Sequence, residues 1–144
     1  MKTAVISGGN GGLGRALTAG LQAQGWHVVA FDIDTEGLEA GAALTPVQVD
    51  LTDGSALARA CAAIVAARPS IDLVVYNAGV SQIGPFESAS EESHRKVFEI
   101  NYFAAVNMAR GFLAPLRQSR GTHLAVSSVA GFAPLVNRTA YAGS

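Results

Sequence analysis

The sequence has few charged residues. Only 15% of its 144 residues are Asp, Glu, Lys or Arg, against about 25% in an ordinary soluble domain. The formal net charge is −1 and both signs are mixed along the chain, which argues against a nucleic-acid-binding protein. The sequence contains no run of Lys and Arg of the kind that attaches proteins to an anionic membrane surface. The low charge indicates that much of the surface is covered, either by partner subunits or by further chain.

Cysteine and long apolar runs are scarce as well. Cys61 is the only cysteine, which excludes an intrachain disulfide and a zinc site built on cysteines. Its neighbours are alanines, so we expect a small buried side chain rather than a reactive thiol. No apolar run reaches the length of about 18 residues that a membrane span needs. We therefore expect a cytoplasmic protein without a membrane partner.

Metal ligands are also missing from the sequence pattern. The three histidines, His27, His94 and His123, are scattered along the chain without the spacing of metal ligands. We interpret them as structural or surface residues. No metal site is expected.

Short apolar segments alternate with longer segments of helical periodicity. The apolar segments are mostly continuous, as in parallel strands that are buried on both faces. They cover residues 4–6, 28–31, 47–49, 73–76 and 124–126. The length leaves room for one domain. The pattern predicts an α/β fold, a Rossmann-like doubly wound parallel sheet with strand order 3-2-1-4-5 and right-handed crossovers.

Three helices are predicted between these strands. Leucines at every fourth position predict a helix over residues 13–21. Residues 52–53 start a second helix, which Pro69 ends. Ser90 is the expected N-cap of a third helix, which continues toward Pro115.

The first strand leads directly into a glycine-rich loop, and a helix follows at once. Glycine backbone can approach a pyrophosphate closely, and the N-terminus of the helix offers free N–H donors. Two registers fit the loop: Gly9, Gly11 and Gly14 as G-x-G-x-x-G, or Gly8, Gly12 and Gly14 as G-x-x-x-G-x-G. Either register in a strand–turn–helix context predicts a dinucleotide site.

Asp32 ends the second strand and indicates which dinucleotide binds. A carboxylate there accepts hydrogen bonds from both hydroxyls of an adenosine ribose and repels a 2′-phosphate. The predicted cofactor is therefore NAD. The alternative is a tight turn beside an ordinary solvated aspartate.

At this point the sequence resembles the classical short-chain dehydrogenases/reductases. The loop Ser7-Gly8-x-x-x-Gly12-x-Gly14 is similar to the family's cofactor motif, with Ser7 where the family usually has Thr. Asn77-Ala78-Gly79 follows the fourth strand, and Asp50-Leu51 follows the third, as in that family. The resemblance runs from residue 3 to residue 144.

The resemblance also implies three catalytic residues. Asn101 falls at the family's helix asparagine, and Tyr141 follows Ser128 by 13 positions, which is the family's spacing. Since successive side chains of a strand alternate, only one of Ser127 and Ser128 should point into the cleft, and the spacing selects Ser128. In the family, the serine holds the substrate oxygen and the tyrosine transfers its proton while hydride moves to or from the cofactor. A lysine four residues after the tyrosine lowers its pKa, and the asparagine holds a water that links this lysine to solvent.

The implied cofactor contacts are Ser7, Gly8, Asn10, Gly12, Leu13, Gly14, Asp32, Ile33, Asp50, Leu51, Asn77, Ala78, Gly79 and Tyr141. The implied function is an NAD-dependent oxidoreductase that interconverts a small-molecule alcohol and a carbonyl compound. An NADP-dependent ketoreductase or epimerase of the same family is an alternative, and so is a non-catalytic nucleotide-binding fragment. The resemblance implies a homodimer or homotetramer that assembles through the helix at 97–116.

Two further expectations concern the substrate pocket and the end of the chain. Segments 81–86 and 131–136 should line the pocket with mostly apolar surface. Ser144 is the last residue, one position before the family's lysine. We therefore expect residues 1–144 to be an incomplete NAD(P)-binding domain, without the last strands and the substrate lid, and inactive by itself.

Overall fold

A computed structural model describes residues 1–133 and 135–144. The strands are β1 (Thr3–Ser7), β2 (His27–Asp32), β3 (Leu44–Gln48), β4 (Leu73–Tyr76) and β5 (Thr122–Ala125). The helices are α1 (Gly12–Ala23), α2 (Gly54–Ala67), α3 (Glu91–Phe98), α4 (Ala104–Ser119) and α5 (Thr139–Gly143). All five strands pair in parallel in the order β3-β2-β1-β4-β5. The predicted sheet and its strand order are confirmed.

Helices cover both faces of the sheet. On one face, Phe31 of β2 clusters with Cys61 of α2 and Phe112 of α4, and the two phenyl rings lie 6.1 Å apart. On the other face, Val28 clusters with Leu17 of α1. Full burial of one such aliphatic or aromatic side chain stabilises the fold by about 1.5–3 kcal/mol. Cys61 is buried as predicted, and burial raises the pKa of its thiol to about 11.

The predicted start of α2 and α3 is confirmed by their caps. The Asp53 carboxylate accepts hydrogen bonds from two backbone N–H groups of the first turn of α2. The Ser90 hydroxyl accepts one from the N–H of Ser93 at 3.1 Å. Each such cap contributes about 0.5–2 kcal/mol. Pro69 acts as predicted: α2 ends at Ala67, and Arg68 is extended, as the residue before a proline prefers.

The third predicted helix is longer and less regular than the sequence indicated. A π-helical turn (Glu99–Phe103) follows α3 without a break and leads directly into α4. Helix α4 passes Pro115 and ends at Ser119. Such π turns are frequent at functional sites. Here the turn contains Asn101.

The crossover from β2 to β3, residues 33–43, contains no helix, although parallel strands are usually joined by one. Side chains of the glycine loop and α1 hold this connection instead. The Asn10 amide and the Arg15 guanidinium both donate to the carbonyl of Glu36, at 3.2 and 3.1 Å. The crossover is thereby fixed against the glycine loop.

The two edge strands are more exposed than predicted. The segment at 47–49 was expected to be a buried strand, but β3 covers residues 44–48 and is only partly buried. The expectation of a buried strand at 124–126 is wrong: β5 covers residues 122–125, and all four are exposed. Each of these strands has a neighbouring strand on one side only, so its other edge is open to solvent. In the described part of the chain, no helix combines the length and apolar character required to span a membrane.

Candidate active site

Two adjoining cavities lie where β1, β2 and β4 end. The first has a volume of about 410 Å³ and the second of about 660 Å³. Both volumes are in the range of small-molecule sites, about 300–1,000 Å³. The cavities share one wall, made of Leu13 and residues 77–80. Open α/β sheets bind ligands at this edge, beyond the carboxyl ends of the strands.

The glycine loop forms the floor of the first cavity, and packing explains three of its glycines. Gly8 has a left-handed φ of 65°. A Cβ at Gly14 would lie 2.1 Å from the carbonyl oxygen of Gly8, and one at Gly9 would lie 2.6 Å from the Cβ of Ala30. Gly12 is different, because a Cβ there would meet no atom within 4 Å and the residue lines the cavity. The loop is thus packed tightly from behind and open in front, which fits a bound pyrophosphate.

Ser7 and Asn77 join the ends of β1 and β4 behind this floor. The buried Ser7 hydroxyl accepts hydrogen bonds from the backbone N–H groups of Asn77 and Ala78, both at 3.0 Å. The Asn77 amide donates to the carbonyls of Ser7 and Gly8, also at 3.0 Å. These bonds set the position of the glycine loop relative to residues 77–79.

Asp32 lies at the end of β2 and lines the first cavity. One carboxylate oxygen accepts a hydrogen bond from the N–H of Asn10 at 2.9 Å. The other lies 3.3 Å from the N–H of Asp34. A negative charge is therefore held at the cavity wall, where it faces any group bound beside the glycine loop.

Asp50 and Thr52 also line the first cavity. The hydroxyl of Thr52 donates to the Asp50 carboxylate at 2.7 Å, and its N–H donates at 2.9 Å. These two bonds, the hydroxyl first, lower the pKa of Asp50 below its ordinary value. Thr52 was expected only as part of a helix start, but the spacing Asp-x-Thr is a sequence signal for this turn.

The structure brings most of the predicted cofactor contacts together. The residues that line the first cavity are Gly8, Gly12, Leu13, Asp32, Ile33, Asp50, Leu51, Asn77, Ala78 and Gly79. Three other predicted contacts, Ser7, Asn10 and Gly14, lie outside the lining and hold the loop or Asp32 in place. Tyr141 lines the second cavity.

Ser128, Tyr141 and Asn101 line the second cavity together. The Ser128 hydroxyl accepts a hydrogen bond from the N–H of Ala130 at 3.2 Å, which leaves its own proton free to donate. Ser127 lines the same cavity. Alternation along a strand does not distinguish Ser127 from Ser128, because β5 ends before both of them.

Asn101 has a bracing role that the sequence did not reveal. Its side-chain oxygen accepts a hydrogen bond from the N–H of Val80 at 2.8 Å. Its amide nitrogen donates to the carbonyl of Val80 at 3.0 Å and to the hydroxyl of Ser144 at 2.9 Å. Asn101 therefore joins the loop after β4 to the end of α5.

The pairing of Tyr76 with His123 was not predicted from the sequence. Tyr76 lines the second cavity, its hydroxyl is hydrogen-bonded to Nδ1 of His123, and the two rings stack with centroids 5.8 Å apart. Burial is the main reason why the pKa of Tyr76 is raised to about 12, so this hydroxyl stays protonated. Of the segments expected to line the substrate pocket, Ser81 and Gly131 do so, and Pro134 lies outside the described residues.

Comparison with known proteins agrees with this geometry. The family model for short chain dehydrogenases matches residues 2–144. The chain is 36% identical to a 1-deoxy-11-beta-hydroxypentalenate dehydrogenase of Streptomyces avermitilis, covering 99% of this chain and 57% of the relative. A 4-hydroxyisoleucine dehydrogenase complexed with NADH superposes with a TM-score of 0.90 at 28% identity, over 99% of this chain and 63% of that one. A metagenomic short-chain oxidoreductase in complex with NADP gives 0.91 at 27% identity, over 99% and 69%.

The chain belongs to the short-chain dehydrogenase family. It spans about half the length of the curated relatives that it matches.

Proposed function

We propose that the protein is an NAD-dependent oxidoreductase that interconverts an alcohol and a carbonyl compound. One observation carries the proposal: the cavity floored by the glycine loop adjoins the cavity that contains Ser128 and Tyr141. The glycine loop and Asp32 would hold a dinucleotide in the first cavity, and the shared wall would let it supply hydride chemistry to the second cavity, where Ser128 and Tyr141 lie. Membership of the short-chain dehydrogenase family supports this assignment.

The residues of the first cavity fit NAD. Gly12 and the start of α1 leave room for the pyrophosphate, because no side chain fills that space. The Asp32 carboxylate accepts hydrogen bonds from the adenosine ribose hydroxyls and repels a 2′-phosphate. The bound nicotinamide ring supplies the acceptor or donor of hydride.

The residues of the second cavity would position the substrate oxygen and transfer its proton. The Ser128 hydroxyl, which already accepts from Ala130, donates to the substrate oxygen and holds it in place. Tyr141 takes the proton of an alcohol or gives one to a carbonyl oxygen as hydride moves. Asn101, within its π turn, holds the cavity wall at Val80 in place relative to the end of α5. In the family this asparagine also holds a water molecule, and we propose the same role for Asn101.

Two alternatives are separated from this proposal by one experiment. The full-length protein is mixed with NADH or NADPH and followed by nucleotide fluorescence, and then with NAD and a panel of secondary alcohols. We expect tighter binding of NADH than of NADPH and alcohol-dependent formation of NADH. Tighter binding of NADPH would favour the NADP-dependent ketoreductase. Binding of a nucleotide without turnover of any alcohol would favour a non-catalytic nucleotide-binding protein.

We also propose that the protein is cytoplasmic and assembles as a homodimer or homotetramer. The free buried thiol of Cys61 is compatible with a reducing compartment. The π turn and α4 expose Tyr102, Phe103 and Leu113 at 50%, 45% and 40%. Exposed apolar side chains grouped on one surface are typical of subunit contacts.

A further inference from the structure

Arg138 lies beside the second cavity, three residues before Tyr141, and contacts one of the residues that line it. Its side chain is half-buried, and its guanidinium donates a hydrogen bond to the hydroxyl of Ser81. Ser81 lines the cavity together with Ser128 and Tyr141. The guanidinium is therefore within hydrogen-bond distance of the wall of the proposed substrate site.

A second contact fixes the backbone beside Arg138. The N–H of Gly84 donates to the carbonyl of Asn137 at 3.1 Å. Asn137 has a left-handed φ of 60°, and Gly84 has a φ of 152°, conformations that asparagine and glycine respectively tolerate best. Together with the Ser81 contact, this bond ties the segment before α5 to the loop after β4. Arg138 is thus held in place relative to Tyr141.

The charge of Arg138 has no acidic partner in the described part of the chain. Among residues 1–133 and 135–144, one ion pair between side chains is found, and it joins Arg95 to Glu91. Ser81 occupies only one of the five N–H donors of the guanidinium. A half-buried guanidinium with unused donors is a binding group for an anion.

The cavity itself supplies no competing charge. Among the described residues that line it, none is Asp, Glu, Lys or Arg, and most contribute apolar surface, backbone or hydroxyl groups. A neutral cavity with one cation beside it suits a ligand whose body is apolar and whose end is anionic.

We propose that Arg138 binds a carboxylate of the substrate, so that the substrates are hydroxy acids and the corresponding keto acids. This inference rests on the proposed function, because it uses the cavity of Ser128 and Tyr141 as the substrate site. The planar guanidinium pairs with both carboxylate oxygens at once, while the substrate's hydroxyl lies deeper, at Ser128 and Tyr141. Arg138 thereby selects the substrate class and takes no part in the chemical step.

The competing explanation is that Arg138 only latches two loops together through Ser81. Two variants separate these roles. Arg138→Gln removes the charge and keeps a donor for Ser81, whereas Ser81→Ala removes the latch and keeps the charge. A latch predicts a defect in Ser81→Ala and little in Arg138→Gln, because glutamine keeps a donor for Ser81, whereas carboxylate binding predicts a defect in Arg138→Gln alone.

The first test is a binding measurement that does not depend on turnover. Benzoate and benzamide, which have the same shape and differ in charge, are titrated into the full-length protein. We expect benzoate to bind about 10- to 100-fold more tightly than benzamide, the range for hydrogen bonds to a charged group. Arg138→Gln should abolish the preference, Ser81→Ala should retain it, and Arg138→Lys should retain part of it. Equal binding of both probes, or an unchanged preference in Arg138→Gln, would overturn the proposal.

The second test uses turnover with NAD of lactate, mandelate and malate, each beside its methyl ester. We expect kcat/KM to favour the acids, with Arg138→Gln raising KM for the acids about 10- to 100-fold and leaving the esters and kcat unchanged. Turnover of the esters alone, or equal losses for acids and esters, would contradict the inference. If benzoate is preferred but no nucleotide binds, the anion site stands and the proposed oxidoreductase function fails.

Discussion

Asp32 and Asp34 lie two positions apart, and the structure gives them different tasks. Asp32 lines the first cavity, whereas the Asp34 carboxylate accepts the N–H of Glu36 at 2.8 Å within the crossover. Of the two, only Asp32 lines the cavity. This difference makes Asp34 a matched acidic control.

We predict that Asp32→Ala narrows the preference for NADH over NADPH. The loss of a charged hydrogen-bond acceptor should weaken NADH binding about 10- to 100-fold, and the loss of repulsion should ease binding of the 2′-phosphate. Asp34→Ala should change the ratio little. Nucleotide fluorescence titration measures both dissociation constants, and tighter binding of NADPH by the unmodified protein would contradict the prediction.

Tyr141 and Ser128 should act on turnover rather than on cofactor affinity. Tyr141→Phe removes the proposed acid/base and should lower kcat by about 10²–10⁴-fold or more, with NADH affinity nearly unchanged. Ser128→Ala should also impair turnover, while Ser127→Ala should be mild. Steady-state kinetics with the full-length protein checks this. Near-normal turnover by Tyr141→Phe would refute the assigned role.

His27 makes stability depend on pH. It is buried at the start of β2. One ring nitrogen contacts the carbonyl of Ala42 at 3.1 Å, and the other contacts the Arg68 guanidinium at 2.6 Å. This arrangement requires a neutral ring that donates to the carbonyl and accepts from the arginine. Burial, and to a smaller extent Arg68, lower the pKa of His27 below 6.5.

The direction of the pH effect follows from this lowered pKa. As the pH falls through 6.5, the unfolded chain binds a proton at His27 before the folded chain does. The contribution of His27 to the free energy of unfolding is therefore fully present above that pH and decreases below it. We expect Tm to fall between about pH 7.5 and pH 5.5, and to fall less in His27→Gln. Equal slopes for the two proteins would show that His27 is not responsible.

At the scale of the element, the turn from β1 into α1 contains glycines with different roles, some required by packing and others by the open cavity. Gly14 is buried against the loop backbone, and Gly12 faces the open cavity. Gly20 lies further along α1, exposed, and a Cβ there would also meet nothing within 4 Å. Three glycines of one helix thus predict three different outcomes when replaced by alanine.

We predict that Gly14→Ala destabilises the fold, since its Cβ would overlap the Gly8 carbonyl; overpacking of this kind costs about 1–3 kcal/mol or more. Gly12→Ala should leave Tm unchanged and weaken NADH binding, because its Cβ enters the space of the pyrophosphate. Gly20→Ala should stabilise the helix by about 0.5–1 kcal/mol. Thermal unfolding and NADH titration of the three variants check this, and full NADH affinity in Gly12→Ala would mean that the pyrophosphate lies elsewhere.

The sequence predicts elements well where the signal is local. Asp53 and Ser90 cap helices through bonds to residues two or three positions away, so the sequence alone contains them. The π turn around Asn101 is different, because it accompanies contacts with Val80 across the fold. The pairing of Tyr76 with His123 likewise needs the register of β4 on β5, which no local pattern specifies.

At the scale of the molecule, the parallel sheet brings segments that are distant in sequence to one edge. The glycine loop and Asp32 were predicted from the ends of the first two strands, and residues 77–79 and Ser128 from the resemblance to the family. Their meeting in two adjoining cavities follows from the confirmed strand order, because parallel strands have their carboxyl ends at the same edge. The exposure of β3 and β5 also follows from that order, although the apolar runs themselves suggested burial.

The exposed apolar side chains of the π turn and α4 lead to a prediction about assembly. We expect the full-length protein to be a dimer or tetramer in light scattering at micromolar concentration. Phe103→Glu should shift it toward monomer, because a charge would enter a desolvated contact. Gln24→Glu, at the exposed end of α1 on the other face of the sheet, is a control for one added negative charge. A clean monomer of the unmodified protein would contradict the assembly.

The central claim is that one composite site transfers hydride between a substrate carbon and NAD. Its most direct test is to incubate the full-length protein with NAD and alcohols deuterated at the carbinol carbon, and to analyse the nucleotide by mass spectrometry. The account predicts NADH that carries one deuterium, formed by the unmodified protein and greatly reduced in Tyr141→Phe. Tight NADH binding without formation of deuterated NADH from any alcohol would contradict it.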